Sequence, residues 1–213
     1  MPSIHSAVAV GVQYCFDETI GYHLGGNFNP DTDCSGFIWQ CLHDCAFNVG
    51  SSRFDTTNMS AVLRSAGFTE YRYTPSFVPQ HGDIFMYDEG GGVRGHAFFY
   101  AENVQGYVNG YQDWDNCDGT VGLCARAKVE ASSSRGVYYP GTETPIPGDQ
   151  DNGLGAHTEV WSHTYSSLIY GNHVWYVYRY GGSPQPTPSL DATILLATKR
   201  KNKNRGGFRI KWM

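Results

Sequence analysis

A chain of 213 residues is long enough to bury one substantial core. Aromatics make up 15% of it, with 15 Tyr and 26 Gly, which argues against a helical bundle and for a protein rich in strands and loops. Seven of the 15 cations fall in residues 199–213, which hold no acid; the other 8 face all 20 acids in residues 1–198. That gives the body a formal charge of -12 and disfavours nucleic-acid binding by it.

The start, Met1-Pro2-Ser3-Ile4-His5, has neither a basic leader nor a long apolar stretch, so the expectation is synthesis in the cytoplasm without a signal peptide. No apolar run approaches the ~20 residues of a membrane span. Ser3 as a cap, then Ile4, Ala7, Val8, Val12 and Cys15 at helical spacing, predict a first helix over 3–15. Residues 21–33 read as a loop. The apolar run Phe37-Ile38-Trp39-Gln40-Cys41-Leu42 predicts a second helix from Cys34 to Phe47. Met59, Val62, Leu63 and Ala66 predict a third over 58–66, stopped by Gly67.

From Gly82 the period changes. Strands are predicted at 83–87, 96–100, 126–131, 136–139 and 174–180, the last being Val174-Trp175-Tyr176-Val177-Tyr178-Arg179-Tyr180. Residues 103–125 read as a hairpin-like insertion and 140–157 as a surface loop. Helices first and an antiparallel sheet afterwards give the fold class α+β. Past Gly181, Gly182-Ser183-Pro184-Gln185-Pro186-Thr187-Pro188 reads as a semi-stiff linker, so the expected division is a domain over 1–181 and a linker with a basic tail over 182–213.

Chemistry concentrates around one thiol. Cys34 stands where loop turns into helix, so it meets unpaired backbone N–H groups and the positive end of the helix dipole. Both favour the thiolate, which is the nucleophile. His96, at the head of the strand-like run His96-Ala97-Phe98-Phe99-Tyr100, is the natural base for it. Without a signal peptide the six cysteines default to reduced thiols, with a Cys117–Cys124 pair after release as the open alternative. Cys41 and Cys45 read as small core residues.

These residues fall into ordered blocks: Tyr22 with Gly25-Gly26, Asp33-Cys34-Ser35-Gly36, Gly82-Asp83-Ile84-Phe85, Gly95-His96, and Tyr176-Val177-Tyr178-Arg179 near the end. Together they resemble the NlpC-type papain-like cell-wall cysteine peptidases and amidases, closest to the phage peptidoglycan-hydrolase branch, over residues 3–180. The resemblance implies N-terminal helices packed on a small antiparallel sheet, with Cys34 at a helix start and His96 on the sheet. It implies that Tyr22 lies beside the thiol and helps hold the substrate carbonyl. It also implies a polar third residue on the strand after that of His96, and Glu130 in Ala127-Lys128-Val129-Glu130-Ala131-Ser132 is the match.

The expected catalytic set is therefore Cys34, His96 and Glu130, with Tyr22, Asp33, Ser35 and His157 as substrate contacts and no metal or cofactor. The expected substrate is bacterial peptidoglycan, cleaved at an amide of its stem peptide. Delivery would be by release on lysis or by a virion, as an endolysin or a tail-associated lysin. The basic tail adds attraction to anionic wall polymers or a membrane surface. Competing readings are a non-catalytic virion or wall-binding protein on a hydrolase scaffold, and a cysteine deamidase or transglutaminase-like enzyme.

Other clusters fit less well. Asp113-Trp114-Asp115-Asn116-Cys117-Asp118-Gly119 has the outline of a calcium loop with Cys at its fifth position and its Gly one place late. His157, Glu159, His163 and His173 match no helical zinc-ligand pair and read instead as groove lining. Asp31 and Asp33 read as helix caps.

Overall fold

The structure, a computed structural model, describes residues 2–17, 20–28, 31–90, 95–107, 121–132, 157–162 and 168–181, with only the backbone at 107, 121 and 157–162. Within them lie three helices, α1 (Ile4–Cys15), α2 (Cys34–Asp44) and α3 (Thr56–Ser65). Eight strands follow: β1 (Phe68–Arg72), β2 (Ile84–Asp88), β3 (Gly95–Ala101), β4 (Val104–Tyr107), β5 (Val121–Cys124), β6 (Ala127–Ser132), β7 (His157–Ser162) and β8 (Tyr176–Tyr180). The class is α+β. Among the described residues no helix is long and apolar enough to cross a membrane. The strand expected at 136–139, the calcium-like loop, Cys117 and everything from 182 on lie outside the described residues.

All three helices start on a side-chain cap. Ser3 accepts the Ser6 N–H, Asp33 the Gly36 N–H, and Asp55 forms a reciprocal capping box with Asn58. The second helix ends at Asp44, three residues short of the expected Phe47, because Ala46 turns to a positive φ of 59°.

One sheet runs β1-β8-β2-β3-β6-β7-β4-β5. Its pairings are antiparallel except for a parallel contact of β4 with β7 at Tyr107 and Trp161. It is larger than the small sheet expected, for two reasons. Phe68-Thr69-Glu70-Tyr71-Arg72 forms an edge strand against β8, and His157–Ser162 forms a strand where a loop was read to run through 157.

Alternation along β3 and β6 divides the core in two. Ala97, Phe99, Ala101, Ala127, Val129 and Ala131 face the helices and join Ala7, Val8, Phe37, Ile38, Cys41 and Leu42. Phe98 and Tyr100 face the other way, onto Phe85, Leu168, Trp175 and Val177. The helices pack directly on the strands that matter, α2 on β3 and β6 and α1 on β6 and β7. Gly11 permits this contact, since a Cβ there would press to 3.3 Å on Cys41, Phe37 and Val129 alike. Burial pushes the Cys41 thiol well up, so that sulfur is a packing element.

Two glycines let other elements close on the sheet. A Cβ on Gly95 would lie 2.5 Å from Thr56 Oγ1 at the start of α3. Gly82 holds a φ of +92°, with Ile4 Cγ1 2.6 Å from where its Cβ would be.

Candidate active site

The loop before α2 is locked by a single carboxylate. Asp33 Oδ1 accepts the Gly36 N–H at 2.8 Å and the Ser35 hydroxyl at 2.9 Å; Oδ2 accepts the Gly25 N–H at 2.9 Å and the Arg53 guanidinium at 2.6 Å. Arg53 also donates to Ser35 Oγ at 3.3 Å and to the Gly26 carbonyl. The latch fixes the Gly25-Gly26 turn against the first turn of the helix. It also engages both Asp33 and Ser35, two of the four side chains expected to contact substrate. Gly36 is part of the same fit, because a Cβ there would lie 2.7 Å from Thr32 Oγ1 and 3.2 Å from Arg53 Nη1. Tyr22 is buried in the main core, its backbone bridged to Thr32.

Cys34 thereby begins α2 at a defined point. His96 is the second residue of β3, opposite Tyr87 of β2. In β6, Lys128 stands opposite Tyr100; continued in the same register, Glu130 stands opposite Phe98, one diagonal step from His96. His96 donates its Nε2–H to Glu130 Oε2 at 2.6 Å. With Nε2 committed there, Nδ1 is the nitrogen left for the Cys34 side chain, which lies near enough to help raise the pKa of the ring. The three residues expected from the sequence meet in one place.

Electrostatics sets the proton. Burial alone would disfavour the charged imidazole; the Glu130 carboxylate and the nearby Cys34 outweigh it and raise the His96 pKa from 6.5 to about 9. At neutral pH the ring therefore holds its proton. Cys34 is 6% exposed, His96 8% and Glu130 2%, so the site is largely shielded from bulk water and its charges are screened less than surface charges. Cys15 backs the site from α1, its thiol 4.0 Å from the Glu130 carbonyl.

Three further residues surround this centre. Arg53 works through Asp33, as above. Lys128 lies with its Nζ 4.5 Å above the Phe98 ring and 5.5 Å from the Tyr170 ring. Tyr170 stands with its ring 6.1 Å from that of His96. Alternation through Lys128 and Glu130 puts both on one face and was readable from the sequence. Arg53 and Tyr170 sit in connecting segments, where no periodicity marks them.

His157 opens β7 opposite Ser132 in the backbone register; its side chain, and that of Glu159, are outside the description. His173 is committed elsewhere, with Nδ1 2.5 Å from Glu89 Oε1 and its ring stacked on Tyr87 at 4.1 Å. Among the described residues no three His, Cys, Asp or Glu side chains gather as a metal site. No protein-family model matches the chain, and no curated protein matches it.

Proposed function

We propose that the protein is a cysteine hydrolase that cleaves an amide of the peptidoglycan stem peptide, on a papain-like scaffold of the NlpC type. The observation that carries the reading is the His96–Glu130 hydrogen bond of 2.6 Å, with Cys34, at a helix N-terminus, near enough to the same ring to help raise its pKa. A thiol, an imidazole and a carboxylate in series are the parts that thiol acyl transfer needs. The wall substrate rests on the ordered motif blocks from Tyr22 to Arg179.

The reacting form is the one in which the Cys34 proton rests on His96, an arrangement that the raised pKa of the ring favours. The Cys34 sulfur attacks the amide carbonyl carbon, and the carbonyl π pair moves onto oxygen. The N–H of Cys34 at the helix start, with the Tyr22 hydroxyl, faces that oxyanion. Collapse of the intermediate breaks the C–N bond while His96 gives its proton to the departing amine, leaving a thioester on Cys34. Water then adds to the thioester as neutral His96 takes its proton, and sulfur departs to restore the starting pair. Glu130 holds the ring orientation throughout.

The test is digestion of purified walls by the wild type and by Cys34→Ala, with mass spectrometry of the released muropeptides. New amino termini from the wild type alone support the reading and identify the bond. Walls left intact by both proteins would overturn it.

A further inference from the structure

We infer that Tyr170 is a substrate-binding residue of this same site, its half-exposed ring forming a fixed wall beside His96 for the part of the substrate that departs with the amine. The inference rests on the proposed function, because it takes the Cys34–His96 pair to be the reacting centre.

The ring is held by three aromatic neighbours. Its edges meet Tyr87 at 5.9 Å and 89°, His173 at 6.0 Å and 88°, and Trp175 at 5.5 Å and 76°. Its hydroxyl lies 3.3 Å from that of Tyr87, and its carbonyl accepts the Trp175 indole N–H at 3.3 Å. The next residue, Gly171, takes a φ of +65°, and a Cβ there would lie 2.6 Å from His173 Nε2. His173 is itself fixed by Glu89 and Tyr87.

A ring so tightly held is normally buried, as its neighbours are: Tyr87 is 8% exposed and Trp175 2%. Tyr170 is 47% exposed. It is an immobile aromatic surface presented to water next to a shielded nucleophile and base. Such a surface binds at little entropic cost, since its rotamer is fixed before any ligand arrives. Burial and the Tyr87 hydrogen bond push its phenol well above the ordinary value, with the nearby Glu130 and Cys34 charges adding to this, so the wall stays neutral. The side of the scissile bond follows from the proton's path: His96 delivers to the leaving amine, and the ring 6.1 Å from His96 lies along that half of the substrate. The chemical class that fits is a flat or C–H-rich group, such as a peptide unit or a sugar face.

The experiment compares alkylation of Cys34 by iodoacetanilide, whose N-phenyl group extends beyond the amide, with alkylation by iodoacetamide, followed by mass spectrometry of the Cys34 peptide. In Tyr170→Ala the iodoacetanilide rate should fall about five- to tenfold while the iodoacetamide rate holds, and Tyr170→Phe should recover most of the loss. An unchanged ratio in Tyr170→Ala, or an equal fall with both reagents, would overturn the wall and leave the nucleophile standing. A wild-type Cys34 inert to both reagents would overturn the wall and the hydrolase reading together. Wall digestion by the same preparations judges the substrate separately.

Discussion

At the scale of single residues, Glu130 governs the site's charge. A free histidine titrates near 6.5 and His96 near 9, so its protonation stabilises the fold fully below about 6.5, and the contribution is lost as pH climbs through 9. The melting temperature of the wild type should therefore fall across that window beyond any general alkaline trend. Glu130→Gln removes the charge while keeping the shape, and should flatten the slope as His96 returns toward ordinary titration. The same variant should lose on the order of 10²-fold in turnover, as the proton shuttle loses its orientation. A slope unchanged by the substitution would detach Glu130 from the ring.

The elements show why particular sequence signals could be read and others could not. The α2 start was legible because cap, thiol and glycine are adjacent in the chain and one local geometry uses all three. The Glu130 position was legible only through the resemblance, which implies a polar residue on the strand after that of His96 and matches it to the block from Ala127 to Ser132. Arg53 was not, since its partners Asp33, Ser35 and Gly26 lie 18 to 27 residues away and only tertiary folding brings them together. The edge strand β1 was hidden by its mixed polarity, intermediate along most of its length because only one neighbour covers it. Gly82-Asp83 was read as a motif, and the structure gives it a mechanical reason. The Asp83 carboxylate at the head of β2 is 1% exposed and takes two bonds from Arg179 of β8, at 2.7 and 2.6 Å. Asp83→Ala would leave that guanidinium buried and unpaired at a cost of about 3–5 kcal/mol. The midpoint of denaturant unfolding measures this, and a shift under about 1 kcal/mol would mean that water reaches Arg179 in the variant.

For the whole molecule, the separation of charge is the governing property. A body of -12 followed by seven cations in residues 199–213 predicts two kinds of contact with an anionic wall, one repelled and one attracted. Removing residues 182–213 should weaken sedimentation with whole walls, most at low ionic strength, and spare hydrolysis of soluble fragments. Equal losses on both substrates would remove the tail from wall attachment.

The chain leaves the sheet's centre after β3, builds β4 and β5 at the far margin, and returns to lay β6 directly beside β3. His96 and Glu130 are thus neighbours in space although a whole excursion of chain divides them. A one-residue slip of β6 against β3 would turn Glu130 to the opposite face and part it from His96, so the pair depends on that register.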